Sequence, residues 1–200
     1  MVNKFDLVAK DWDLKNTRVE IAMSFVNQIK NSIEIKKDFD ILDYGCGTGL
    51  ISFGFCHSAK SITGMDFSQG MLEEFNKKAN EYALKNISCL KHDITYEALP
   101  HSSYDLITTS MALHHIKDTN DFILKSYDSL RKDGYLAICD LDKEDGSFHS
   151  KGNEGVEHFG FDKELLTKTL KKNNFDIIFY ENIYTAKEKY PIFCAIAKKS

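Results

Sequence analysis

The sequence predicts an α/β protein: a doubly wound, mostly parallel sheet covered by helices, with an antiparallel pair at its end. Three observations lead there. Short apolar runs suited to strands alternate with longer helical patterns through most of the chain. A glycine-spaced turn, Gly45-Cys46-Gly47-Thr48-Gly49, follows the first of those runs. The chain then ends in two neighbouring strand-like segments joined by a charged turn, the pattern of an antiparallel hairpin.

In order, residues 1–35 read as helical, with Phe5, Val8, Ala9 and Trp12 on one face and Val19, Ile21, Ala22, Phe25, Val26 and Ile29 on another. Trp12, the single tryptophan, is placed either to close over a ligand or to pack in the core. Ile41 and Leu42 suit a first strand buried on both faces, and Leu50 to Ser58 should be helix. Ser61 to Asp66 is a second strand ending in a carboxylate. A helix capped near Ser68 runs to about Tyr82, with Met71, Leu72, Phe75 and Ala79 inward. Ile87 to Leu90 and Tyr104 to Thr109 are the third and fourth strands. Helix Asn120 to Arg131 and the turn Lys132-Asp133-Gly134 lead into the fifth, Tyr135 to Leu141. Residues 142–160 make too long a stretch for an ordinary connection and read as a loop over the site. A last helix to Lys172, with Asp162 as its N-cap, turns Leu165, Leu166 and Leu170 inward. The strands Phe175 to Ile183 and Tyr190 to Ala197 close the chain around the turn Thr185 to Lys189.

Two hundred residues suit one domain, divided into an amino-terminal helical cap (1–38), a core that holds the ligand (39–140), a substrate lid (141–161) and the closing helix and hairpin (162–200). With 26 basic and 30 acidic residues, the net charge of -4 lacks the footprint of a nucleic-acid binder, so no such partner is expected. No run approaches the ~20 apolar residues of a membrane span, and the expectation is a soluble, cytoplasmic protein. The five cysteines, Cys46, Cys56, Cys89, Cys139 and Cys194, have no metal-ligand spacing and read as reduced packing residues.

The glycine turn lacks both the third glycine of a dinucleotide fingerprint and the Gly-Lys-Ser/Thr ending of a phosphate loop. Asp43, just ahead of it, would repel a pyrophosphate and attract an ammonium group. Asp66 lies about twenty residues after the turn, the position from which a carboxylate meets ribose hydroxyls. Asp93 follows the third strand, where open α/β sheets gather ligands. His114 and His115 follow the fourth strand, and histidine, the side chain type that ordinarily titrates nearest neutral pH, suits a proton acceptor. Asp140, Asp142, His149, Glu154, Glu157 and His158 raise the question of a metal. Their spacing is not that of a ligand set, so no metal is expected, and His158 reads as part of the hinge of the lid.

Together these segments resemble the class I S-adenosylmethionine-dependent methyltransferases, in their small-molecule branch. Leu42 to Leu50 is similar to the family's first motif, Met65-Asp66-Phe67-Ser68 to its second and His92-Asp93-Ile94 to its adenine-side motif. Tyr104 to Ile107, Ala112 to Ile116 and Leu130 to Leu136 resemble the later segments. The resemblance implies a Rossmann-like, seven-stranded sheet with an antiparallel last strand, S-adenosyl-L-methionine as cofactor, and methyl transfer to a small-molecule acceptor. It implies that Asp43 and the backbone at Gly45 and Gly47 hold the amino-acid end of the cofactor, and that Asp66 takes the ribose diol. Asp93 and the Ile94 backbone would meet the adenine amine, with Phe67 and Met111 as walls for the ring. His114 and His115 are the catalytic candidates where the acceptor must lose a proton.

Thr109-Ser110-Met111-Ala112 lacks the Asn/Asp-Pro-Pro-aromatic signature of amino-group methyltransferases, which places a protein or RNA acceptor second. An inactive cofactor-binding module stays open, as does a nicotinamide-dependent oxidoreductase, although Asp43 and the absent third glycine oppose the latter. The acceptor and the oligomeric state are not readable from the sequence.

Overall fold

The computed structural model describes residues 3–149 and 152–200. Met1 and Val2 of the expected cap, and Ser150 and Lys151 of the expected lid, lie outside the described residues. Strands β1 (Asp40–Tyr44), β2 (Ser61–Asp66), β3 (Ile87–Lys91), β4 (Tyr104–Ser110), β5 (Leu130–Leu141), β6 (Phe175–Ala186) and β7 (Tyr190–Lys199) form one seven-stranded sheet, ordered β3-β2-β1-β4-β5-β7-β6. β7 alone runs against its neighbours and lies between β5 and β6. The expected mixed sheet with an antiparallel last strand is therefore the observed one.

Alternation along the strands builds a core on each face. Ile41 packs in a cluster with Phe25, Ile29, Ile62 and Phe75, beneath α1 (Asn16–Ser32) and α3 (Gln69–Glu81). Its neighbour Leu42 points the other way, into a cluster with Ile107, Phe122, Leu136 and Leu166 under α4 (Thr119–Ser129) and α5 (Lys163–Lys172). Burying each such side chain contributes roughly 1.5–3 kcal/mol, which fixes the face each residue takes. Ser68, Asp118 and Asp162 cap α3, α4 and α5 by accepting the N–H groups of Met71, Asp121 and Leu165. Among the described residues no helix is long and apolar enough to cross a membrane.

Four local expectations need correction. The amino-terminal segment is not one helical run: a 3-10 helix, Asp6–Leu14, is separated from α1 by the extended residue Lys15. Its path follows docking contacts, since Asp6 accepts hydrogen bonds from Ser68 Oγ at 2.6 Å and Gly70 N at 2.9 Å, and Asp13 accepts from Thr48 Oγ1 at 2.5 Å. Helix α2 (Leu50–Gly54) stops short of Ser58, the remainder being turns. Helix α4 ends at Ser129 because Leu130, fully buried, enters β5 opposite Tyr104. Leu165 is 65% exposed, since the buried stripe of α5 is Leu166 and Leu170.

The segment 142–160 is pinched at its base. Phe161 donates its N–H to the Leu141 carbonyl at 2.9 Å, and Lys143 donates to the Phe161 carbonyl at 3.1 Å. Gly160 makes that closure possible: its φ is +70°, and a Cβ there would stand 2.1 Å from the Asp142 carbonyl oxygen.

Candidate functional site

The strand order reverses at β1, between β2 and β4, and the carboxyl ends of such switch-point strands are where open α/β sheets bind ligands. A cavity of about 880 Å³ opens there. Of the residues singled out in the sequence, Gly45, Gly47, Asp66, Phe67, Asp93, Ile94, Met111, His114 and His115 line it, and Asp43 does not.

Asp43 is sealed beneath the glycine turn. One carboxylate oxygen accepts from the Ser52 N–H at 3.1 Å and the Ser52 hydroxyl at 2.6 Å, and the other accepts from Thr108 Oγ1 at 3.0 Å. Burial pushes its carboxyl up to about 6 in spite of those donors. Asp43 is expected to meet an ammonium group, but in the structure its oxygens clamp the start of α2 and β4 and the residue does not line the cavity. Above it, Gly45 turns back with φ +69°, and a Cβ there would lie 2.4 Å from Ala112 Cβ, so only glycine lets the two loops touch.

Asp66 stands at the cavity wall, 8% exposed. Its oxygens accept the Gly47 and Ser68 N–H groups, each at 2.8 Å, and each keeps a lone pair for a hydroxyl donor. Burial raises its carboxyl above the ordinary range. Asp93 is half-buried and accepts from Thr95 N at 2.9 Å. Ile94 lines the cavity, but its N–H already donates to the Tyr44 hydroxyl at 2.8 Å. The backbone role expected of Ile94 is corrected accordingly: that group is engaged by Tyr44, a lining residue the sequence reading passed over.

Phe5 sits among three rings, with centroids 5.7 Å from Phe67, 6.0 Å from Trp12 and 5.2 Å from His115. Trp12 is thus a wall of the cavity, and Arg18 lies over it with its guanidinium 3.4 Å from the ring centroid. Burial lowers the pKa of that guanidinium. No sequence pattern distinguishes Arg18 from any solvated helix residue. Met111 adopts φ +52°, a left-handed conformation rare outside glycine, and donates its N–H to the Cys139 carbonyl at 2.8 Å.

His114 and His115 both face the cavity. His114 is 2% exposed, with Nδ1 2.7 Å from Oδ1 of the fully buried Asp140. His115 Nδ1 lies 2.5 Å from the Gly155 carbonyl oxygen, and burial followed by the neighbouring His114 lowers its pKa to about 4. The acidic residues of the 142–160 segment do not gather around His158, whose Nε2 bonds the Ile116 carbonyl at 2.9 Å. His149 instead reaches the histidine pair, with ring centroids 5.2 Å from His114 and 6.0 Å from His115.

Comparison with known proteins follows the same lines. A model of the methyltransferase-domain family matches residues 42–138. An uncharacterized methyltransferase of Schizosaccharomyces pombe is 30% identical over 179 residues, covering 80% of this chain and 63% of that protein. A ubiquinone biosynthesis O-methyltransferase of Pelagibacter ubique is 26% identical over 162 residues, covering 71% of this chain and 64% of that one. The chain therefore spans less than two-thirds of the length of either relative. A crystal structure of an S-adenosylmethionine-dependent methyltransferase from Aquifex aeolicus has the same fold, with a TM-score of 0.75 at 20% identity over 98% of both chains.

Proposed function

Since this chain belongs to the class I S-adenosylmethionine-dependent methyltransferases, with S-adenosyl-L-methionine as cofactor, we propose that it transfers the cofactor's methyl group to a hydroxyl of a small, largely apolar molecule. The observation that carries this reading is one continuous cavity lined by both Asp66 and the His114–His115 pair. Its volume of about 880 Å³ is at the upper end for small-ligand sites, which leaves room for a cofactor and an acceptor together. Aromatic lining at Phe5, Trp12 and Phe148 supports an apolar acceptor body. The O-methyltransferase relative supports oxygen as the nucleophile.

The donor set fits the cofactor. Asp66 retains lone pairs for a ribose diol, Asp93 offers an acceptor to the adenine amine, and Phe67 and Met111 supply apolar walls. Gly45 and Gly47 line the cavity with their N–H groups engaged by the Met65 carbonyl and Asp66, so the carbonyl side of the turn is what would meet the amino-acid end. When bound, the cofactor supplies a methyl group already activated on a sulfonium, so the protein's share is to position the acceptor and exclude water. Asp140 holds the His114 ring by Nδ1 and leaves Nε2 as the proton acceptor for the hydroxyl. His115, kept neutral at pH 7, adds a second uncharged ring beside it. The 142–160 segment acts as the lid: the N–H groups of Glu157 and His158 both donate to the His114 carbonyl, at 2.9 and 3.1 Å.

The test is calorimetric titration with S-adenosylhomocysteine, followed by a methyl-acceptor screen of phenols and other hydroxyl compounds. Micromolar binding weakened at least tenfold by Asp66→Ala, with turnover of a hydroxyl acceptor, is the expected result. No binding by the folded protein would sink the proposal. Binding without turnover of any acceptor would leave an inactive cofactor-binding module, and displacement of the homocysteine product by a nicotinamide nucleotide would favour an oxidoreductase.

A further inference from the structure

We propose that His114, His115 and His149 form a binding site for one divalent transition metal of the zinc class, with the open coordination position facing the cavity. The rings come from two distant segments, the 3-10 turn Leu113–His115 after β4 and the 142–160 segment. The His114 and His115 centroids are 4.1 Å apart, and one ring nitrogen from each of the three residues lies within 4.8 Å of the others. Hydrogen bonds decide which nitrogens are available. His114 Nδ1 is held by Asp140 and His115 Nδ1 by the Gly155 carbonyl, which leaves Nε2 of each ring. His114 Nε2 and His149 Nδ1 are both buried and have no hydrogen-bond partner. Leaving one such atom unsatisfied costs roughly 1–3 kcal/mol, and two in one cluster point to a shared ligand that accepts lone pairs.

The surroundings match such a site. A ligating imidazole almost always gives its other N–H to a carboxylate or a backbone carbonyl, and Asp140 and Gly155 are in those places. Neutral imidazole, with a free ring nitrogen, is the ligating form. Lys4 and Lys187 oppose a cation here, while Asp140 and Glu144 favour one. Three nitrogen donors select zinc, copper, iron or nickel over magnesium or calcium, and three protein ligands leave a fourth position free. Tetrahedral coordination at ~2.0–2.1 Å sets nitrogens roughly 3.4 Å apart, so the three rings would draw together on binding.

This replaces the sequence expectation of no metal, which rested on spacing alone. Its role, though not the binding itself, rests on the reading of the cavity as an acceptor site. A metal on His114 Nε2 would end that nitrogen's service as proton acceptor and would instead lower the pKa of the acceptor hydroxyl, whose proton would pass to water.

The experiment uses chelator-stripped protein with any affinity tag removed, titrated with Co2+ and followed by visible absorption, then by Zn2+ competition. The expected result is one Co2+ per chain with the intense bands of tetrahedral nitrogen ligation. His149→Ala and His115→Ala should each weaken binding at least tenfold and abolish the bands. Cooperative melting within a few degrees of the parent shows that both variants are folded. Absence of stoichiometric bands, or bands that persist in either folded variant, overturns the proposal. Metal binding and S-adenosylhomocysteine binding are separate readouts, so failure of one is not read as failure of the other.

Discussion

Asp140 Oδ1 lies 2.7 Å from His114 Nδ1, and neither side chain reaches solvent. The same carboxylate accepts the backbone N–H groups of His114 at 3.2 Å and Leu141 at 2.8 Å, so it has no freedom to turn away. In Asp140→Asn an amide competes for that position and the preferred tautomer of His114 is lost. General-base contributions run to about 10²–10⁴-fold. In chelator-treated protein the expected outcome is a fall in kcat of about 10²-fold or more, with S-adenosylhomocysteine affinity within threefold. An unchanged kcat would remove His114 from proton transfer.

Asp43→Asn tests the correction at the glycine turn. Asparagine can still accept from Ser52 and, through its amide, donate to Thr108, so the fold should survive the change. The folded carboxyl titrates at about 6 against an ordinary 3.8, because ionising it without water is unfavourable. The contribution is therefore full below the unfolded pKa and lost as pH rises through about 6, a loss of roughly 3 kcal/mol. Between pH 4 and pH 7 the parent should lose most of that stability relative to Asp43→Asn, read from denaturant midpoints. The variant should bind S-adenosylhomocysteine within threefold of the parent. A tenfold loss would restore Asp43 as a direct ligand contact.

What the sequence made legible was local. Strand periodicity, the glycine turn, the Ser68 and Asp162 caps and the carboxylate at the end of β2 each depend on a few neighbouring residues. The cavity side of Asp66 could be read because strand ends in such sheets face the crevice. Asp43 misled for the complementary reason: its partners lie 9 and 65 residues away, so adjacency to the turn gave no hint of burial. The same holds for Ile94, whose N–H meets a tyrosine 50 residues earlier. The three-histidine cluster is invisible to any spacing rule, since only folding of the 142–160 segment brings His149 to His114.

Gly160→Ala addresses the lid. Alanine at φ +70° is strained, and its Cβ would press on the Asp142 carbonyl, a backbone atom that cannot swing aside. The base of the segment must open, breaking the pairing of Asp142 with Phe161. A reduction of kcat/KM for the acceptor by about tenfold or more is expected, equivalent to ~1.4 kcal/mol or above. S-adenosylhomocysteine affinity should stay within threefold. Steady-state kinetics beside calorimetry checks this, and an equal loss of both would assign the segment to cofactor binding.

Tyr44→Phe distinguishes the two uses of the Ile94 amide. The Tyr44 ring packs against Phe122 at 5.3 Å and His92 at 5.8 Å, contacts that phenylalanine keeps. The change removes only the hydroxyl that accepts the Ile94 N–H. A buried donor left unsatisfied costs roughly 1–3 kcal/mol, and a chain of this size loses roughly 2–4 °C per kcal/mol. The ligand-free variant should therefore melt about 2–12 °C below the parent. Because the structure assigns that N–H to Tyr44 and not to the adenine, saturating S-adenosylhomocysteine should raise both melting temperatures equally and leave the gap intact. A gap that closes on binding would mean that the ligand satisfies the freed amide, and would return the Ile94 backbone to the adenine contact that the family resemblance implies.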